Sequence, residues 1–140
     1  MRISRKPWDG SQWNGKSAEA YCKACLIDLN KADAKTPTGK KREGKIKALC
    51  KLPVYEPNGA LNVNALHAKA AELAGARGGM KGVPAAEKRK AARKLVRLYR
   101  QVGEVAPASI YRLAGLKRTP RLEAIAKERR AKLRAKREGK

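Results

Sequence analysis

The stretch that decides the fold is PAAEKRKAARKLVRLYRQVG, residues 84–103. At 100° per residue, one arc carries apolar side chains and the opposite arc carries Lys and Arg side chains. The apolar arc consists of Leu98, Ala91, Val102 and Leu95, flanked by Tyr99, Ala92 and Val96. This pattern predicts an amphipathic helix. Pro84 suits the first turn, and Gly103 can end the helix in the left-handed conformation. Because its apolar face must be buried, the helix requires a packing partner.

The cationic side of this helix is the leading candidate for a binding surface. Residues 88–100 contain seven Lys or Arg residues and no acidic residue. Ordinary exposed helix faces carry both signs of charge, so a binding role is favoured over the alternative of a merely solvated face. The candidates on this side are Arg89, Lys90, Arg93, Lys94, Arg97 and Arg100.

The C-terminal segment, residues 117–140, adds a second basic element. It has few apolar positions and contains Glu–Lys pairs at i,i+4 spacing, which stabilise an exposed helix. We therefore expect a basic helical tail, from Thr119-Pro120 to about Arg137, that projects from the domain or binds a partner. The candidate contacts on it are Arg129, Arg130 and Arg134.

The overall charge indicates the chemistry of the partner. The chain of 140 residues has 35 Lys and Arg residues against 12 acidic ones, a formal net charge of +23. A polyanion relieves the self-repulsion of such a protein and releases counterions on binding. The expected partners are nucleic acid, bound with little sequence preference because no base-reading motif is present, or an acidic protein surface in an assembly.

The rest of the chain predicts a small, mainly α-helical domain over residues 1–116. Asn62 can cap a helix over 63–74, which would form a helical hairpin with the helix over 85–102. Ser17 can cap a short helix over 18–29. Residues 46–54 alternate between apolar and polar, which is typical of a strand or of an extended arm lying on helices. Residues 31–45 are interpreted as a flexible basic loop.

Two groups of residues allow alternative interpretations. Cys22, Cys25, Cys50 and His67 offer four zinc ligands, beginning with a CxxC spacing, but the cysteines also occupy apolar positions where they would be small hydrophobic residues. Trp8 and Trp13, in an irregular N-terminal segment, would either anchor that segment to the core or stack on nucleic-acid bases. Anchoring is favoured because the chain is poor in aromatic residues.

Several classes of protein are disfavoured by the sequence. The chain has a single His and no recognisable catalytic motif or phosphate-binding loop, so we expect no enzymatic activity and no small-molecule substrate. No apolar run is long enough to span a membrane, and the N-terminus lacks the apolar core of a signal peptide. Three cysteines without an export signal predict a reducing compartment and no disulfide framework.

The middle of the chain resembles a module encoded by tailed phages and prophages. The resemblance is carried by LCKLPVYEPNGALNVNALHAKAAELAGARGGM, residues 49–80, by the basic helix ending in LVRLYRQVGE, and by AYCKACLID, residues 20–28. It covers about residues 8–115. The module is a small uncharacterised helical unit found near, or attached to, head-morphogenesis proteins of the prohead-protease-like kind. It implies no catalytic residue here.

These observations predict a non-enzymatic protein of phage head assembly or of the virion, which binds DNA or an acidic capsid surface through its basic helix and tail. Its expected location is the host cytoplasm or the virion. One alternative is a stand-alone nucleic-acid-binding or regulatory protein that binds with little sequence preference, with zinc as an optional stabiliser. Another is an interaction module stabilised by zinc.

Overall fold

A computed structural model describes residues 2–30, 44–75 and 80–137 of the chain. The described part is mainly helical, which confirms the predicted class. The helices are α1 (Ala18–Lys23), α2 (Val63–Leu73), α3 (Ala85–Gln101), α4 (Ala108–Ala114) and α5 (Pro120–Arg137), and 3₁₀ turns lie at Gly10–Trp13 and Lys47–Leu49. The short strands are β1 (Ile3–Ser4), β2 (Cys25–Asp28), β3 (Cys50–Pro53) and β4 (Leu61–Asn62).

Helix α3 occupies the centre of the fold, as its sequence predicts. Its apolar arc is buried against α4, α2 and β2, and Ala91 and Leu95 are fully inaccessible to solvent. Gly103 follows the helix with a φ of 77°, and the N–H of Glu104 donates to the carbonyl oxygen of Tyr99 at 2.8 Å. This left-handed stop satisfies a carbonyl at the helix end and turns the chain towards α4.

The segment 18–29 is not one helix, and this corrects the sequence prediction. Helix α1 ends at Lys23, and residues 25–28 form β2, which pairs antiparallel with β3. In that register Ile27 lies opposite Lys51 and Asp28 lies opposite Cys50. Of the residues 46–54 that alternate in the sequence, 50–53 form a strand and 47–49 form a 3₁₀ turn, and the partner of the strand lies in the segment predicted to be helical. Apolar spacing in a run this short fits either element, and cross-strand pairing decides it.

The N-terminal segment is held against the α2 end of the domain. Strand β1 pairs in parallel with β4, immediately before α2. Trp13 is only 6% exposed, and its indole Nε1 donates to the carbonyl oxygen of Tyr55 at 3.1 Å. Trp13 therefore anchors the segment to the core, which leaves it unable to stack on bases. Trp8 is half-buried.

Helix α5 is docked at its N-terminal half. Leu122 packs against the hydrophobic core and Ala126 is buried, whereas Leu133 is 58% exposed. The guanidinium of Arg118, just before the helix, donates to the carbonyl oxygen of Ala106 through Nη2 at 2.8 Å and Nε at 3.2 Å. The expectation of a projecting tail therefore applies only to the C-terminal half of α5.

Some predictions fall on residues that the structure does not describe. Residues 31–43 of the predicted flexible loop lie outside the described residues, as do residues 76–79 of the connection between α2 and α3. Helices α2 and α3 do contact each other.

Candidate polyanion-binding surface

The six predicted cations of α3 all lie on its exposed side. The helix forms because Ala and long unbranched side chains dominate it, and its apolar arc fixes its rotation against the core. The positions opposite Ala91 and Leu95 are therefore directed to solvent. The six side chains nevertheless do not have equivalent surroundings.

Three of the six contact the protein itself. Arg93 Nε donates to the carbonyl oxygen of Ala114 at 3.0 Å, at the C-terminal end of α4, and Arg89 packs its guanidinium against Gly115. Lys94 Nζ donates to the carbonyl oxygen of Leu26 in β2 at 3.2 Å. A cation at a helix C-terminus meets unpaired carbonyls and the negative end of the helix dipole, so the contacts of Arg93 and Arg89 stabilise the fold. The Lys94 contact ties α3 to β2.

The remaining cations form the open part of the surface. In the described residues, Arg97 and Arg100 donate no hydrogen bond to the protein and lie within 4.0 Å of no carboxylate. Lys90 Nζ lies 3.6 Å from the Glu87 carboxylate and is well exposed. A surface ion pair of this kind contributes little to stability, so Lys90 can exchange Glu87 for another anion.

This division predicts different consequences for two arginines of the same helix. Replacing Arg93 by Ala should lower the free energy of unfolding by about 1 kcal/mol, because the Ala114 carbonyl loses a charged donor. Replacing Arg97 by Ala should change it by less than about 0.5 kcal/mol. Urea denaturation of both variants measures the difference, and equal stabilities would remove the structural role assigned to Arg93.

A groove lies where α5 meets the end of α3. It has a volume of about 650 Å³ and is lined by His67, Tyr99, Glu104, Val105, Pro107, Arg118, Ala126, Arg129, Arg130, Lys132 and Leu133. Arg129 donates to the carbonyl oxygen of Gly103, which links α5 to the C-terminal end of α3. The lining of the groove therefore combines apolar side chains with several cations.

On one wall of the groove, the ring nitrogen Nε2 of His67 lies 2.6 Å from a Glu104 carboxylate oxygen. The His67 ring also lies against Tyr99, with 5.7 Å between ring centroids, and burial raises the pKa of the Tyr99 hydroxyl. The sequence analysis missed Tyr99, Glu104, Arg118 and Lys132 as members of a site. Only the tertiary fold brings them together, and their spacing carries no signal.

The four predicted zinc ligands are not brought together, and this corrects the predicted quartet. Cys22 and Cys50 form a disulfide. His67 is on α2 and pairs with Glu104. The acidic group beside the two cysteine sulfurs is Asp28, and the three ligand atoms lie within 4.8 Å of one another. The disulfide also corrects the expectation of no disulfide framework, because the packing of α1 against β3 puts residues 22 and 50 side by side.

Cys25 is the free cysteine of the three and lies apart from that cluster. Burial raises the pKa of its thiol to about 12, although a hydrogen bond with Tyr21 acts in the opposite direction. Burial likewise raises the pKa of the Tyr21 hydroxyl to about 12. Cys25 therefore stays a neutral thiol at physiological pH and is a poor nucleophile or metal ligand.

Comparison with protein-family models, curated proteins and solved structures finds no match to this chain. Within the described ranges, no helix combines the length and hydrophobicity needed to cross a membrane.

Proposed function

We propose that this protein binds a polyanion through the open cationic side of α3, with the basic residues of α5 extending the surface. The observation that carries the proposal is the pair Arg97 and Arg100, exposed on a regular helix with no carboxylate within ion-pair distance among the described residues. A cationic surface of this kind attracts phosphates or clustered carboxylates without requiring a particular sequence.

Helix α5 supports the proposal because it brings more cations towards the same end of α3. The Arg129 contact with Gly103 fixes the approach of the two helices, and Arg130 and Arg134 are exposed. We treat α2 and α3 as a helical hairpin that presents the surface, and the C-terminal half of α5 as the basic tail that extends it. Both helices then supply contacts to one extended anion.

The setting of this binding is proposed from the resemblance of residues 8–115 to the phage module. In that setting the polyanion is packaged DNA or an acidic face of a capsid protein, and the protein acts without catalysis in head assembly or in the virion. The +23 net charge favours DNA as the first ligand to test, because the phosphates of its backbone carry closely and regularly spaced negative charges.

Binding to duplex DNA across a salt series tests the proposal. Each phosphate contact contributes about −0.9 to the slope of log affinity against log salt. The exposed cations of α3 and α5 predict a slope of several units and similar affinities for unrelated sequences. If no binding is measured at near-physiological salt, DNA is the wrong polyanion, and an acidic capsid protein is then tested in the same assay. Failure of both ligands overturns the proposal.

A further inference from the structure

Reduction of the Cys22–Cys50 disulfide would leave two thiols beside the Asp28 carboxylate, a set of side chains that can bind a metal ion. Two sulfur atoms and the Asp28 carboxylate lie within 4.8 Å of one another, and they come from α1, β3 and β2. Cys22 and Cys50 are both buried, and Asp28 is half-buried. Thiolate and carboxylate groups are common ligands of zinc, which takes four ligands in a tetrahedral arrangement.

Asn30 is positioned as a supporting residue for all three groups. Its amide Nδ2 lies 3.3 Å from the Cys50 sulfur, 3.8 Å from the Cys22 sulfur, 2.8 Å from Asp28 Oδ1 and 3.2 Å from the Ile46 carbonyl oxygen, so its two N–H groups are shared among four acceptors. Its Oδ1 accepts from the N–H of Ile46 at 2.8 Å, so the side chain is held from both ends. N–H donors directed at ligand atoms orient the ligands and stabilise their negative charge, as in the outer shells of metal sites.

The second oxygen of Asp28 is bound by a group that can be exchanged. Lys45 Nζ lies 2.6 Å from Asp28 Oδ2, and the Lys45 side chain is 41% exposed. An exposed lysine can move into water when a divalent cation takes its place. Asp28 thus has one oxygen fixed by Asn30 and a second that is available to an ion.

We propose that the reduced protein binds one thiophilic divalent cation, zinc being the expected ion, through Cys22, Cys50 and Asp28, with water as the fourth ligand. The disulfide and the metal site are alternative states of the same two cysteines. In a cell, two molecules of a thiol RSH reduce the disulfide and become RSSR, leaving one hydrogen on each sulfur. Metal binding then releases both thiol protons to water, because the thiolate is the ligand.

Cobalt(II) titration of the full chain tests this inference. The protein is reduced with a water-soluble phosphine, which takes an oxygen atom from water and leaves two thiols, and is compared with the untreated disulfide form. The reduced form should bind about one Co²⁺ per chain, with a sulfur-to-cobalt charge-transfer band, and Zn²⁺ should displace it. The disulfide form should show no such band. A reduced protein without this band, or equal binding by both forms, would overturn the inference.

Three variants assign the ligands. Cys50→Ser should abolish the charge-transfer band, and Asp28→Asn, which keeps both cysteines, should weaken binding by more than about tenfold. Cys25→Ser is the matched control and should bind like the unmodified protein, because Cys25 lies outside the cluster. Loss of binding in Cys25→Ser, or unchanged affinity in Asp28→Asn, would contradict the proposed ligand set. Neither result depends on whether the protein binds a polyanion.

Discussion

Reversing the charges of Arg97 and Arg100 together is expected to lower the affinity for duplex DNA roughly 30-fold at 0.15 M salt. Each lost phosphate contact makes the slope of log affinity against log salt shallower by about 0.9. If the two proteins bind equally at 1 M salt, two lost contacts correspond to roughly 30-fold in affinity at 0.15 M salt. The slope itself should become shallower by about two units. Because neither side chain contacts another described residue through a hydrogen bond or ion pair, the Arg97→Glu/Arg100→Glu variant should remain folded. Fluorescence anisotropy with a labelled duplex measures affinity and slope.

A matched control separates local contact from net charge. Lys16→Glu/Lys23→Glu changes the formal charge by the same amount but alters one exposed residue just before α1 and the exposed last residue of α1, a helix that is not among the main packing partners of α3. This control should weaken binding much less and leave the slope within about half a unit of the original. Equal losses in the two double variants would show that diffuse charge, and not the α3 surface, accounts for binding.

Charge substitution is preferable to deletion of the tail for the same question. Leu122 and Ala126 of α5 are part of the packed structure, and Arg118 binds the Ala106 carbonyl. Removing residues 117–140 would therefore uncover core residues as well as remove charge. Arg93 is unsuitable for a related reason, because its contact with Ala114 makes it part of the fold.

Helix α3 could be predicted from the sequence because its information is local. A 3.6-residue pattern repeated over four turns, with Pro84 at one end and Gly103 at the other, specifies the helix and its buried face. Helix α2 and its Asn62 cap were predictable for the same reason. Strand β2 could not be predicted in this way, because the apolar pattern of four residues fits a strand and a helix equally well. Its pairing with β3 decides between them, and that pairing is not visible in the local sequence.

The candidate site was predictable only in part. The sequence placed the six cations of α3 on one side, but carbonyl groups distant in the sequence decide which of them are available. Leu26 and Ala114 engage Lys94 and Arg93, and neither carbonyl could be anticipated from charge spacing. The cysteine spacing suggested a zinc quartet. In the fold, α1 packs Cys22 against Cys50, the β2–β3 pairing adds Asp28, and His67 lies elsewhere.

Replacing Asn62 by Ala is expected to lower the free energy of unfolding by about 2–4 kcal/mol, the largest single-residue effect that we predict at a polar position. Asn62 is only 1% exposed. Its Oδ1 accepts from the N–H of Ala65 at 2.8 Å, and its Nδ2 donates to Glu56 at 2.8 Å and to the Lys6 carbonyl at 3.1 Å. One side chain therefore caps α2 and ties the N-terminal segment to the domain. Chemical denaturation measures the loss.

Asn64 provides the matched control and the acid dependence provides a second readout. Asn64 also donates to the Lys6 carbonyl, at 2.8 Å, but it is exposed, so Asn64→Ala should cost less than about 1 kcal/mol.

Hydrogen bonds from Ser4 and Asn62 hold the pKa of Glu56 below its ordinary value. The ionised form is thus favoured by folding, and the stability it contributes is lost as the pH falls through the folded-state pKa. Asn62→Ala should flatten this acid dependence while Asn64→Ala preserves it. If both variants lose the same free energy of unfolding and both keep the acid dependence, the buried hydrogen bonds of Asn62 contribute no more stability than the exposed ones of Asn64.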